Sequence, residues 1–380
     1  MARERTDWIL FLSIVAMVAF GLVVVYSASS VVAEVKFKEQ SYYFLIRQVG
    51  AAVVALAAMM FLKRLDYRTL NTSGWAFASL GFVLMMLVAV YVADPKQHRW
   101  FHIGPAQLQP SEFAKPALAL FLAFFVTFRS KSINHRHTLF PAALAVAVLA
   151  LTVVVADFGT AMVLMLTAAA VFFVAGMQGR YFVIAGAVAV LFAGAAVASK
   201  PYRLKRVIDY FDPDYKVLSL LDHKERIREY ANSTLAARDS GYQGLQSRIA
   251  VGTGGALGVG LMQGRQKLLY LPEAHTDFIY AVVGEELGFL GCTALLAGFL
   301  TILWRGFRLY LYAADPFGRY LALAVTTSVV FQALINMSVV LDMGPTKGIP
   351  LPMISYGGSS LLSTLVSLGL LLSVSERAVE

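Results

Sequence analysis

The chain has 380 residues, of which 58% are hydrophobic and only 14% are charged, and its mean hydropathy is +0.68. A soluble domain carries roughly a quarter charged residues, so this composition excludes a soluble globular fold and a disordered chain, and the single Cys292 excludes a disulfide scaffold. The 32 Lys and Arg residues outnumber the 23 Asp and Glu residues, an excess that membrane loops and anionic headgroups account for without a nucleic-acid partner.

Ten apolar segments are long enough to cross a hydrocarbon core of ~30 Å as helices. They predict an all-α polytopic membrane protein with about ten transmembrane helices. The first follows Met1–Asp7 with no small-residue cleavage site, so we expect an uncleaved helix. Between the fifth and sixth, Asp157–Gly159 is the predicted turn. The segments are 8–28, 45–62, 74–93, 111–128, 139–156, 158–177, 181–199, 277–304, 318–341 and 353–374.

Basic residues concentrate in the short loops on the side of the N-terminus, which predicts cytoplasmic N- and C-termini. We expect a single membrane domain, 1–380, with one large extracytoplasmic loop, 200–276, between spans seven and eight. Residues 200–240 carry charges of both signs and predict one or two surface helices. Residues 241–264 are rich in glycine, which is compatible with a loop that re-enters the protein and with a flexible connector.

A first polar cluster is Gln109–Lys115, preceded by Arg99. Pro110 and Ser111 predict the start of the fourth helix, with Ser111 as its N-cap. Glu112 and Lys115 share one helix face and are predicted to form a structural ion pair. Arg99 and Lys115 are also candidates for binding an anion, because the positive end of the helix dipole lies beside them.

A second cluster, Leu271–Asp277, lies at the outer mouth of the eighth span. Thr276 or Asp277 can serve as an N-cap, which is the simplest interpretation of Asp277. However, capping a helix requires only one side chain, and this segment has three ionisable ones, Glu273, His275 and Asp277. Two turns deeper, Glu285–Glu286 form either a buried structural pair or a relay.

A third cluster, Pro345–Ser360, combines prolines and glycines at the entry to the last span. Irregular backbone at membrane level is tolerated only where it is buried or lines a cavity. Lys347 is its one cation, suited either to snorkelling or to anion binding.

The acidic residues of the second cluster also bear on cofactors. One histidine beside carboxylates disfavours zinc, whereas carboxylates with substrate phosphates suit Mg²⁺ or Mn²⁺. Asp277 or Glu273 is the candidate ligand. The sequence contains neither a dinucleotide fingerprint nor a Walker A motif, so no nucleotide cofactor is predicted.

Three motifs resemble the SEDS family (shape, elongation, division and sporulation) of bacteria. They are Gln109–Lys115, Leu271–Ile279 with Gly284–Gly288, and Ile354–Ser360. The resemblance implies a peptidoglycan glycosyltransferase that polymerises lipid II into glycan strands at the outer face of the cytoplasmic membrane. It also implies a class B penicillin-binding transpeptidase and other divisome membrane proteins as partners. Within the family, Pro345–Gly348 and Leu269–His275 are more similar to division members than to elongation members, which predicts a septal location. Asp342 departs from the family pattern.

Asp277 matches the position of the family's essential acid, and we expect it to be the general base that deprotonates the acceptor's 4-hydroxyl. A single base fits inverting displacement of undecaprenyl pyrophosphate. We expect Arg99, Lys115 and Lys347 to bind the pyrophosphate with a divalent cation, and Glu273 to position the acceptor or metal. Three alternatives stay open: a lipid II flippase, a scaffold for the transpeptidase, and an elongation polymerase.

Overall fold

The computed structural model describes residues 6–94, 97–103, 106–199, 201–212, 226–231, 233, 240–344 and 348–378. Within these ranges the chain forms thirteen α-helices, two 3-10 turns and one β-hairpin. Eight helices are long and apolar enough to cross a membrane, and two further helices, which begin at Phe158 and Gly179, are apolar as well. The predicted class, an all-α polytopic membrane protein, is confirmed.

The helices follow the predicted apolar segments closely. They are α1 (Trp8–Lys36), α2 (Tyr43–Arg64), α3 (Ser73–Ala93), α4 (Pro110–Arg129), α5 (Arg136–Ala156), α6 (Phe158–Val174), α7 (Gly179–Ala198), α8 (Pro201–Phe211), α9 (Arg226–Ala231), α10 (Ser240–Gly254), α11 (Ile279–Tyr312), α12 (Pro316–Val340) and α13 (Gly358–Glu376). The hairpin pairs β1 (Phe101–Ile103) antiparallel with β2 (Ala106–Leu108), with Phe101 opposite Leu108.

Three helices, α4, α12 and α13, form the interior of the molecule. Most of their side chains are buried, whereas the apolar side chains of α2, α3 and α5 are largely exposed, as contact with lipid requires. α12 packs between α4 and α11, and α13 lies along α2. The first polar cluster therefore begins an interior helix, α4, and the outer helices face lipid.

The close packing of α13 on α2 follows from small and hydroxyl side chains. A Cβ atom at Gly369 would lie 2.9 Å from the backbone oxygen of Met59, so only glycine permits this approach. Buried hydroxyl residues continue along α13, among them Ser363 and Ser367. Small residues of this kind bring membrane helices together where lipid gives no hydrophobic driving force.

Most of the glycine-rich segment is helix α10, and the residues that follow it, 255–267, form a loop that returns into the protein and pairs with a break in α11. We call residues 255–267 the re-entrant loop. Gly288 has φ +63° and interrupts the helix. The N–H groups of Val259 and Gly260 donate to the carbonyls of Glu285 and Glu286, both at 3.0 Å. In return, the N–H groups of Phe289 and Leu290 donate to the carbonyls of Gly255 and Ala256, at 2.9 and 3.2 Å. Of the two interpretations, close packing is correct and the flexible connector is wrong.

The residue that departs from the family pattern, Asp342, has a partner of its own. Its carboxylate lies 3.1 Å from the guanidinium of Arg248 on α10. Beside this pair, the Ser247 hydroxyl donates to the Val340 carbonyl at 2.7 Å. Asp342 therefore helps to fasten α10 to the end of α12.

Candidate functional site

Asp277 lies in the turn just before α11. The helix begins at Ile279 and its N-cap position is Phe278, which contributes no capping side chain. The N–H groups of Thr276 and Phe278 both donate to the Glu273 carbonyl at 3.2 Å, and this closes the turn. Neither Thr276 nor Asp277 is the N-cap, so the capping interpretation of these two residues is wrong.

Asn336 on α12 joins this turn to the third cluster. Its Nδ2 donates to the Asp277 carbonyl at 2.7 Å and to the Ile349 carbonyl at 2.6 Å. One turn earlier on the same helix face, Gln332 Nε2 donates to the Pro350 carbonyl at 2.8 Å. Two amide side chains of α12 thus fasten the irregular segment around Ile349 beside Asp277.

The Asp277 carboxylate lies directly against the backbone of Gly348. A Cβ atom at residue 348 would overlap Asp277 Oδ2, so glycine is required for this approach. The same two segments are joined again where Ser355 Oγ donates to the Thr276 carbonyl at 2.5 Å. A further bond runs from the Tyr356 N–H to the His275 carbonyl at 3.0 Å. Four contacts therefore fix the orientation of the turn that carries Asp277.

Lys115 and Glu112 form a buried ion pair in the first turns of α4. Their charged atoms are 2.7 Å apart, and the Lys115 ammonium also donates to Gln332 Oε1 at 2.5 Å. Both side chains are at most 5% exposed. α4 begins at Pro110 with Gln109 in the cap position, so the prediction of Ser111 as N-cap is wrong. Through Gln332, the ion pair supports the segment beside Asp277.

Arg99 meets the turn between α5 and α6. Its guanidinium lies 3.4 Å from Asp157 Oδ2, and its side chain is one-third exposed. Asp157, in the predicted turn, caps α6 by accepting from the N–H groups of Gly159 and Thr160. A Cβ atom at Gly159 would overlap the Ile349 side chain. Arg99 therefore reaches the third cluster through Asp157 and Ile349.

The remaining predicted binding residues have less defined surroundings. Glu273 is exposed, and its carboxylate accepts from Thr276 Oγ1 at 2.9 Å. Lys347 lies outside the described residues. No group of three His, Cys, Asp or Glu side chains in the described ranges could hold a metal ion.

His275 packs between two aromatic rings rather than on the carboxylates. Its ring centroid lies 4.9 Å from that of Phe44 and 5.8 Å from that of Tyr356. Burial lowers the pKa of the imidazole, against the opposing charge of Glu273. The lowered pKa favours a neutral imidazole, which can pack against the rings of Phe44 and Tyr356 without burying a charge.

Glu285 and Glu286 hold the re-entrant loop. Glu285 accepts from the backbone N–H groups of Arg265 and Gln266, at 2.7 and 3.2 Å. Glu286 pairs with the buried Lys267 ammonium at 2.5 Å and accepts from the Ser27 hydroxyl at 2.7 Å. Their contacts match the structural interpretation of this pair.

Sequence reasoning missed Gln332 and Asn336. Attention to ionisable residues passes over neutral amides, yet two amides four residues apart in an apolar span share one helix face. A buried amide within a membrane span is costly unless it has hydrogen-bond partners. The presence of two such amides in α12 was therefore the signal in the sequence that could have identified them.

Comparisons with known proteins cover almost the whole chain. A family model described as cell cycle protein, for the FtsW, RodA and SpoVE proteins, matches residues 7–380. The chain is 38% identical to the probable peptidoglycan glycosyltransferase FtsW of Geobacter sulfurreducens, over 98% of this chain and 96% of that protein. It is 37% identical to the stage V sporulation protein E of Bacillus subtilis, over 99% of each.

Solved structures agree with these relatives. A chain of a peptidoglycan synthase complex, described in terms of coordinated polymerization and crosslinking, superposes with a TM-score of 0.74 at 29% identity, covering 97% of each chain. The rod shape determining protein RodA of Thermus thermophilus superposes with a TM-score of 0.67 at 27% identity, covering 99% of this chain and 98% of that one. The chain belongs to the FtsW/RodA/SpoVE family of membrane-embedded cell cycle proteins.

Proposed function

We propose that this chain is a peptidoglycan glycosyltransferase that polymerises lipid II, with Asp277 as its general base. Family membership over the full chain supports the reaction class. The observation that carries the assignment of Asp277 is its fixed position: its carboxylate lies on Gly348, and its backbone is held by Asn336. Pre-organisation of this kind is what a positioned base needs.

The proposed step is a single displacement. The 4-hydroxyl oxygen of the acceptor sugar forms a bond to the anomeric carbon of the donor, and the bond from that carbon to the pyrophosphate oxygen breaks. The hydroxyl proton moves to the Asp277 carboxylate, and the leaving undecaprenyl pyrophosphate takes the bonding electron pair. One base without a covalent sugar intermediate gives inversion at the anomeric carbon.

The leaving group carries negative charge that cations must stabilise. We assign this role to Arg99, which is one-third exposed, and to Lys347. Lys115 is also predicted to stabilise the pyrophosphate. Because its ammonium is buried and bonded to Glu112 and Gln332, we assign it an indirect role, in which it holds Gln332 in place rather than contacting the pyrophosphate.

A divalent cation fits this site only together with substrate. The described carboxylates do not form a three-ligand cluster, but Mg²⁺ commonly takes one or two carboxylates plus substrate phosphates. Either Asp277 or Glu273, at the two ends of one turn, is the residue that would hold it. A bound cation would supply further neutralisation of the pyrophosphate.

The proposal extends to location and partners. The similarity to proteins named FtsW and to a chain of a peptidoglycan synthase complex supports a class B penicillin-binding transpeptidase as partner and a septal location. We further propose that the termini are cytoplasmic and that the turn with Asp277 faces outward. The proposed partners also include lipid II, the growing glycan strand and other divisome membrane proteins.

The test is glycan-chain formation from purified lipid II by the chain with its transpeptidase, whose own serine is blocked. We expect Asp277→Ala to lower polymerisation by about 10²–10⁴-fold, the usual contribution of a positioned base. Glu229→Ala, on the helix α9, is the control and should polymerise at the wild-type rate. Polymer at the wild-type rate from Asp277→Ala would refute the assignment. Transport of labelled lipid II across vesicles without chain growth would favour the flippase.

A further inference from the structure

A small cavity opens at the junction of α1 and α2, beside the candidate site but outside it. Its volume is about 210 Å³, and its lining residues are Glu39, Gln40, Tyr42, Tyr43, Ile46 and Arg47. Pockets that enclose a whole drug-sized ligand measure ~300–1,000 Å³. This cavity therefore suits one ring of a longer molecule that continues past it.

The cavity is joined to the turn that carries Asp277 by a row of aromatic rings. Tyr43 contacts Phe44 with ring centroids 5.2 Å apart, and Phe44 contacts His275 at 4.9 Å and Tyr356 at 5.0 Å. On the same side, burial raises the pKa of the Tyr356 hydroxyl while the nearby Arg47 guanidinium opposes part of the rise. The aromatic row thus connects the cavity with the turn that carries Asp277.

The polar groups of the cavity are available for a ligand. In the part of the chain that the structure describes, no side-chain hydrogen bond or ion pair involves Glu39 or Gln40. Tyr42 is 44% exposed, and the Arg47 guanidinium lies 4.5 Å from the Tyr43 ring centroid. A carboxylate and an amide can bond the hydroxyl and acetamido groups of a sugar. The aromatic faces can cover its apolar side, and Arg47 can pair with a carboxylate.

We propose that this cavity is a saccharide subsite, which holds a sugar unit of the glycan strand while the next unit is added beside Asp277. The inference rests on the proposed function and deepens it, because a polymerase that keeps its strand bound needs contacts beyond the reacting sugars. Retention of the strand, rather than the displacement itself, is the property this subsite controls.

Interfacial tyrosines and an arginine are also found where membrane proteins meet lipid headgroups. Two observations favour the sugar. The negative charge of Glu39 in the lining would repel a phosphate, and the aromatic row that begins at Tyr43 reaches His275, in the turn that carries Asp277.

The experiment measures strand length rather than total polymer. The chain, with its serine-blocked transpeptidase, polymerises labelled lipid II, and the products are resolved by length. We expect the double variant Gln40→Ala/Tyr42→Ala to make strands about two- to tenfold shorter, because it removes one aromatic contact and one amide that can bond the sugar. Tyr312→Ala, an exposed tyrosine at the other end of α11, is the matched control and should keep the wild-type length.

Unchanged strand length in the double variant, or equal shortening by Tyr312→Ala, would overturn the subsite. Shortening that occurs only in nanodiscs containing anionic lipid would assign the cavity to a headgroup and overturn it as well. Binding of a lipid-free tetrasaccharide fragment of the strand to Asp277→Asn gives a readout without catalysis, and the double variant should weaken it. If wild type makes no polymer, the proposed function fails, and this binding measurement alone decides the subsite.

Discussion

Gly348 shows how one missing methyl group shapes the candidate site. A Cβ atom at this position would overlap the Asp277 carboxylate, so Gly348→Ala should push the carboxylate aside. Misplacement of a reacting group by about 1 Å can cost ~10²-fold in rate, and we expect a loss of that order in polymerisation. Gly344→Ala is the matched control, because a Cβ atom there meets no atom within 4 Å. Equal activity of the two variants would contradict this account.

Asn336 is a second single residue that shapes the site, because its side chain holds the backbone on both sides of it. Asn336→Leu removes the donor from the partly buried Asp277 carbonyl and from the buried Ile349 carbonyl, and a buried acceptor left without a partner costs about 1–3 kcal/mol. We expect lower thermal stability in detergent and a loss of polymerisation. Ser338→Ala, two residues along the same helix, should leave both unchanged. We call the two hydrogen bonds of Asn336 the clamp. A stable, fully active Asn336→Leu variant would show that the clamp is dispensable.

At the scale of elements, the re-entrant loop depends on a buried ion pair. Lys267 and Glu286 are at most 3% exposed, so Lys267→Met leaves a buried carboxylate without its cation. Breaking such a pair costs about 3–5 kcal/mol. The comparison is Arg248→Ala, which breaks the exposed pair with Asp342 and should cost under about 1 kcal/mol. Thermal unfolding of both variants in one detergent measures the difference, and equal losses would contradict it.

The elements also show where sequence reasoning reached its limit. Hydropathy predicted the apolar helices, because twenty uncharged residues have few other options. The break at Gly288 was not predicted, since its cause is the distant loop at Gly255–Gly260 and no local pattern encodes that pairing. Asp277 was singled out by its charge and its family motif, whereas the clamp by Asn336 was missed for the same reason as the break. Contacts between distant segments set both features.

At the scale of the whole molecule, the predicted orientation has a direct test. Cys292 is the chain's one cysteine and is buried, so a Cys292→Ser background accepts single reporter cysteines. We expect Ser233→Cys to react with an impermeant maleimide in intact spheroplasts. Ser130→Cys, between α4 and α5, should react only after permeabilisation. The opposite labelling pattern would show that the proposed orientation of the chain in the membrane is wrong.

The reciprocal pairing at Gly288 also constrains how the chain matures during synthesis. The loop leaves the ribosome before α11 does, yet its backbone completes the bonds that the break in α11 leaves open. If α11 entered the bilayer alone, four backbone groups would face hydrocarbon unpaired, at several kcal/mol each. We therefore expect the nascent loop and α11 to insert as one unit, because each completes the backbone bonds of the other.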